Sequence, residues 1–342
     1  LRPISCVQIV DSAIDYLNAA DWAKYDLRYS LEVYDVANDY TDATPVKDRM
    51  VIIVDDYQPV AFDLRLVPNR DYRFVVFADL VQNGASEDAN VVYQSTLGLR
   101  HIIGDTLGNI EIKNDAINDE IADAYFAAEN IKITNSAAQN IVLKRPYGKV
   151  RVIATDLAEL TLNVNPGKVQ VEYEAFHPMA FNAVTGEVDG EYKPCIYACD
   201  YAKISKEEGG LQNHFYNIGY DAELVENANG VKRHSHMTLF TDYILAEKEG
   251  QTAYHFTMTV WDQNEKPIKE THFSTDIPVE RNKLTTVVGN VLTTATEINI
   301  TIDDNFADEY VVESTPVNDT ESFKAALLKA AQHEYATIEL TK

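Results

Sequence analysis

Cysteine is scarce in this sequence. Cys6, Cys195 and Cys199 are the three it contains among 342 residues, too few for a disulfide framework. Cys195 and Cys199 are spaced loosely like metal ligands, and His234 and His236 would share one face of a strand. A zinc site wants four ligands, and no second cysteine pair or spaced histidine pair follows at the usual distance. Structural cysteines are the expectation, and a metal-dependent reading rests on these Cys and His residues alone. Long apolar runs are also missing: no stretch reaches the roughly 18–20 apolar residues of a membrane span. The opening Leu1–Cys6 has no basic segment followed by an apolar one, so no signal peptide is visible. The absence of an initial Met points to a processed or trimmed form.

Basic residues are few. There are 29 against 54 acidic ones, a formal net charge of −25. Such a field repels phosphate backbones and anionic lipid surfaces, which excludes nucleic acid as an expected partner. Catalytic signatures are lacking as well: there is no Gly-x-Ser-x-Gly elbow, Walker loop, dinucleotide-binding glycine motif or His-Glu-x-x-His. Asp55-Asp56 and Asp303-Asp304 read as solvated strand ends, and Asp303-Asp304-Asn305 lacks the ligand spacing of a calcium loop. Most tyrosines fall at inward-facing strand positions, not on a sugar-stacking platform. No enzyme, cofactor or metal site is expected.

What is abundant points to strands. Twenty Tyr and twelve Phe accompany many Val, Ile and Thr. Leu27, Tyr29, Leu31 and Val33 alternate with Arg28, Ser30, Glu32 and Tyr34, as in a half-buried strand. Met50–Val54 is a short apolar strand, Phe62, Leu64 and Leu66 alternate with Asp63 and Arg65, and Tyr72–Ala78 is apolar enough to be covered on both faces. Helical spacing at Ile117, Ile121, Ala124, Tyr125 and Ala128 predicts a helical insertion over 114–129, and Asp11–Trp22 could form a short helix. Strands resume at Ile131–Thr134 and Asn140–Lys144. Later strands are expected at 169–175, 192–201, 237–245, 253–261, 268–273, 284–293 and 295–303. Turn clusters separate them, which indicates all-β sandwiches. In the tail, Asp319 or Thr320 caps a helix striped by Phe323, Ala326, Leu327, Ala330 and Ala331. A strand carrying Ala336, Ile338 and Leu340 follows. That pattern is like a helix capping the first coil of a parallel β-helix.

The stretch 141–156 organises the chain. Ile141–Leu143 and Val150–Ala154 flank a break at Pro146 and Gly148. Pro146 cannot donate to a ladder, and Gly148 permits the positive φ of a turn or bulge. The stretch reads as the last strand of a first sandwich leading to a second. The expected division is an N-terminal sandwich over 1–158, a C-terminal sandwich over 159–306 and a helix–strand tail over 307–342. Lys144, Arg145, Lys149 and Arg151 give the seam four cations in an acidic chain. Their expected role is structural, to neutralise acidic neighbours at the junction.

Five segments together resemble the fimbrillin-type surface proteins of anaerobic Gram-negative bacteria, which are related to type V pilins. They are Leu27–Asp35, Phe62–Ala78, Asp119–Phe126, Leu143–Asp156 and Arg281–Phe306. The resemblance covers roughly residues 27–306, and its order and spacing are more specific than any one motif. It implies two tandem transthyretin-like (Greek-key) β-sandwiches. It also implies export to the cell surface or outer membrane and a non-enzymatic role as a fimbrial (pilus) subunit or adhesin. The implied partners are other fimbrial subunits or copies of the chain, joined by strand exchange, a form of β-augmentation. The competing reading is an N-terminal module of a larger β-helix protein that binds or cleaves polysaccharide, motivated by residues 319–341.

Overall fold

A computed structural model describes residues 7–9, 23–37, 44–56, 60–84, 101–112, 122–134, 139–161, 164–193, 196–200, 225–226, 230, 232–233, 236–293, 298–303, 314–317 and 337–340. The described chain is almost entirely β, with one 3₁₀ turn at Leu157–Glu159. Four four-stranded sheets carry the architecture.

In the first sheet the order is Lys47–Val54, Tyr25–Asp35, Arg70–Gln82, Ala124–Ile133, all antiparallel. Both of its faces are covered. One packs Leu27, Tyr29, Leu31, Phe74 and Val76 against Phe62, Leu64, Ile141 and Leu143. The other packs Tyr34, Val75, Phe77 and Phe126 against a second sheet. The Tyr25–Asp35 strand is therefore buried along its whole length, not half-buried as alternation predicts. Its polar side lies beneath the second sheet, where Arg28 pairs with Asp79 of the neighbouring strand and Glu32 accepts from the Leu107 amide.

The second sheet combines distant parts of the chain. Its order is Glu187–Lys193, His177–Asn182, Ile110–Ile112, His101–Ile103. Phe181 pairs with Ile110, and Ala180 with Glu111. Strands from both sides of residue 158 thus share one ladder.

The third and fourth sheets face each other across the largest apolar cluster. The third runs Met237–Leu245, Tyr147–Ala154, Leu284–Gly289, Ile298–Asp303, with the middle pair parallel. The fourth runs Ile196–Asp200, Pro166–Tyr173, Gln251–Asp262, Pro267–Glu280. Val150, Val152, Val169, Val171, Phe240, Phe256, Met258 and Val287 meet between them.

Three expectations need correcting. The strand Tyr147–Ala154 does not close the first sandwich; it lies between two strands of the third sheet. It is buried along its whole length, Lys149 and Arg151 included, because neighbours cover both of its faces. Residues 124–129 are strand, not helix. Ala124, Phe126 and Ala128 face one core while Tyr125 and Ala127 face another, so two buried faces imitate helical spacing. The rest of the expected insertion, through residue 121, lies outside the described residues. Phe62–Leu66 keeps its alternating burial but joins no ladder; it is an extended strap over the first core.

The expected helices at 11–22 and from 319 also lie outside the described residues. The tail strand is present as Thr337–Leu340, paired in parallel with Ser314–Val317.

Candidate functional site at the seam

Of the described stretch 141–156, Ile141 and Leu143 belong to the first core, and Val150, Val152 and Ala154 to the last. Residues 144–146 are where the backbone changes core. Lys144 exchanges backbone hydrogen bonds with Phe126, its amide donating at 2.9 Å and its carbonyl accepting at 2.8 Å. Gly148 serves close packing: its φ is not positive, and a Cβ would stand 2.6 Å from Val279 Cγ1 and 2.7 Å from the Glu280 carbonyl. The turn geometry expected for it is not observed.

The four cations of the seam have different fates. Arg145 is buried, and its guanidinium forks onto Asp123, Nε donating to Oδ1 at 2.7 Å and Nη2 to Oδ2 at 2.8 Å. Nη2 also donates to the Tyr125 hydroxyl at 2.7 Å, with the guanidinium over that ring. Burial alone would lower the Arg145 pKa; the charge of Asp123, the Tyr125 and Tyr243 hydroxyls and the bond to Asp123 together outweigh it and raise the value. Lys149 is also buried and donates from Nζ to the Tyr243 hydroxyl at 3.1 Å. Arg151, buried in the third sheet, donates from Nη2 to Thr286 Oγ1 at 3.0 Å. Lys144 is exposed.

A polar chain unanticipated from the sequence crosses the seam. Arg28 and Asp79 are directly opposite in the first sheet, and Nε and Nη2 donate to the carboxylate at 2.8 and 2.7 Å. His101 of the second sheet places Nδ1 3.4 Å from Asp79 Oδ2, long for a hydrogen bond but close enough to favour a proton on that nitrogen. Its Nε2 then accepts from the Tyr147 hydroxyl at 2.7 Å. All four side chains are at most 1% exposed. Burial alone would raise the Asp79 pKa, yet the Arg28 charge and bonds, with His101 close by, hold it below the usual carboxylate value. A fully buried chain of this kind fixes the relative placement of three sheets because no member can turn to water.

Two further polar anchors support the junction. Glu32 accepts from Arg49 Nε at 2.9 Å, from the Leu107 amide at 2.8 Å and from the Tyr34 hydroxyl. Burial, then the bond to Glu32, pushes the Tyr34 phenol up. Asp156 is a buried carboxylate that accepts the amides of Val291, Leu292 and Thr293 and the Thr293 hydroxyl.

Among the described residues, no group of three or more His, Cys, Asp or Glu is arranged to hold a metal ion. Cys6, Cys195 and His234 lie outside those residues, while Cys199 is on the Ile196–Asp200 strand and His236 is buried. No helix among the described residues is long and apolar enough to cross a membrane. Of the buried cations at the seam, Arg145 pairs with Asp123 and Arg28 with Asp79, while Lys149 and Arg151 donate to hydroxyls.

No curated protein matches the chain. Several solved structures overlap it loosely. A candidate cell adhesion protein from Bacteroides ovatus is 13% identical, with a TM-score of 0.46, covering 90% of this chain and 98% of its own. A fimbrial assembly protein from Parabacteroides distasonis is 11% identical, with a TM-score of 0.42, covering 89% and 99%. The tip fimbrial protein Mfa3 from Porphyromonas gingivalis, truncated at its C-terminus, is 10% identical, with a TM-score of 0.40, covering 84% and 97%. Those descriptions belong to those proteins, and overlaps this loose carry no argument about this one. A family model described as "Family of unknown function (DUF6562)" matches residues 7–337, and the chain belongs to that family.

Proposed function

We propose that this chain is a non-enzymatic surface protein, a fimbrial subunit or fimbrillin-like adhesin. In this reading it consists of two tandem transthyretin-like sandwiches, resides at the outer surface and assembles by strand exchange with other subunits or its own copies. The resemblance over residues 27–306 supports the class. The observation that carries the assembly mode is the ladder between Val7–Ile9 and Ile141–Leu143.

That ladder is parallel and three residues long. The strand that receives it contributes Ile141 and Leu143 to the first core. A segment held by so few backbone bonds can be exchanged for a longer strand from a neighbour, whose alternate side chains would set the register. Removal of residues 1–9 from the full chain, followed by size-exclusion chromatography and electron microscopy, tests the reading. Oligomers or filaments from the trimmed protein are expected. A strictly monomeric trimmed protein that never enters filaments overturns the subunit form.

One observation favours the second reading, an N-terminal module of a larger β-helix protein that acts on polysaccharide. Ser314–Val317 and Thr337–Leu340 pair in parallel over four residues, the relation that successive coils of a parallel solenoid adopt. The downstream reading frame decides it, since a stop codon directly after Lys342 removes this alternative.

A further inference from the structure

A cleft of about 780 Å³ opens between the Ala124–Ile133 strand and the turns that carry Gly186 and Asn282. Five cations line it, Arg73, Lys144, Lys248, Arg281 and Lys283, against one acid, Glu129. In a chain with 54 acidic and 29 basic residues, this is a local reversal of sign.

Fold-holding contacts account for only part of that charge. Lys283 stands 2.8 Å from Glu280, and Arg73 donates to the Val184 carbonyl and to Asn130. Arg281 donates to the carbonyls of Ala246 and Gly186, which are neutral acceptors. Among the described residues, no carboxylate stands within ion-pair distance of Arg281. Lys248 likewise donates to a carbonyl, that of Thr185, at 3.1 Å, and Lys144 is exposed at the rim. Arg281, Lys144 and Lys248 therefore face the cleft without an ion-paired carboxylate among the described residues, the Glu247 charge reaching Arg281 only from farther off. Burial depresses the Arg281 pKa to about 10, so an arriving anion would find it charged at neutral pH.

The rest of the lining is mixed. Phe126 contributes an aromatic surface beneath the Arg281 guanidinium, 5.5 Å from the ring centroid. Phe126 directs its amide and carbonyl outward to Lys144, so Ala128, two residues on, directs its own toward the cleft. Fixed positive charge and outward backbone donors and acceptors suit a ligand that carries both anionic groups and hydroxyls, while the Phe126 ring, edge-on to Phe181, holds the Arg281 guanidinium in place. The volume lies within the usual range of roughly 300–1,000 Å³ for small-ligand sites.

We infer that this cleft binds an acidic oligosaccharide, with carboxylate or sulfate supplying the charge. The inference adds a ligand to the surface-protein reading and rests on it only for where such a sugar would be met. Calorimetric titration of the full chain tests it, with a galacturonate oligomer, a heparin-derived oligomer and a neutral oligomer of matched length. At least one acidic oligomer is expected to bind, more weakly as salt rises, and the neutral one is not. The double variant Lys144→Glu/Lys248→Glu is expected to bind about tenfold more weakly at unchanged thermal stability. Which acidic oligomer binds identifies the anionic group.

Equal binding of the neutral oligomer, no binding of either acidic one, or undiminished binding by the variant overturns the inference. Binding of an oligoglutamate peptide as tightly as the sugars overturns the saccharide assignment. Filament formation scored separately by electron microscopy distinguishes this failure from that of the assembly reading.

Discussion

The Tyr147 hydroxyl lies 2.7 Å from His101 Nε2, and that bond joins the third sheet to the second. Beyond His101 stand Asp79 and Arg28 in the first sheet. Tyr147 also meets Tyr243 edge-on, with ring centroids 6.0 Å apart, and Tyr243 accepts from Lys149. The residue after the Pro146 break is thus the point at which one half of the molecule grips the other. Tyr147→Phe keeps the ring packing but leaves His101 Nε2 buried without its donor. The expected cost is about 1–3 kcal/mol in urea denaturation. A loss smaller than about 0.5 kcal/mol, within the noise of a surface change, would show that the chain does not hold the halves.

Arg145 and Asp123 form a buried fork, so either removed alone strands the other. Arg145→Met or Asp123→Leu is expected to cost about 3–5 kcal/mol. The double variant should recover most of that loss, because a packed apolar pair can replace a buried ion pair. A double-mutant cycle read by chemical denaturation measures the coupling, and additive single losses would contradict it.

Gly148→Ala forces a methyl group against Val279 Cγ1 and the Glu280 carbonyl. Part of that surface is backbone and cannot rotate away. A loss of about 1–3 kcal/mol is expected from overpacking. Thermal unfolding of the variant checks it, and an unchanged midpoint would mean that the third and fourth sheets separate there at little cost.

His177 is packed against Tyr173 and Tyr254, with ring centroids 4.3 and 4.9 Å away. Burial lowers its pKa to about 3. The unfolded chain takes up that proton near pH 6.5 and the folded chain does not, so stability falls as pH drops from about 6.5 toward 3. Between pH 7 and pH 5 this one group should remove about 2 kcal/mol. Asp79, whose pKa is held below its ordinary value, adds a loss in the same direction at lower pH. Urea unfolding at the two pH values should show a shallower pH dependence in His177→Phe than in the parent. Equal slopes would place the imidazole in contact with water.

Sequence alone determined the elements with one clear period and a turn at the end. The Phe62–Leu66 alternation and the strands over 72–78 and 253–261 were legible because their burial pattern is local. The Arg145 cation was also legible as a charge needing a partner, although Asp123 as that partner was not.

Tertiary structure decided the rest. Ala124–Ala128 matches helical spacing as a string, yet it is an edge strand covered on both faces. The polar side of Leu27–Tyr34 looks like a solvent face until residues from 101–112 and 177–193 close over it as one sheet. Tyr147–Ala154 joins strands that lie far along the chain. Strand neighbours, which face of a sheet is covered and which cations lack an acid all depend on contacts between distant residues. The local pattern of a chain records how a segment can be buried; only the packed fold determines what buries it.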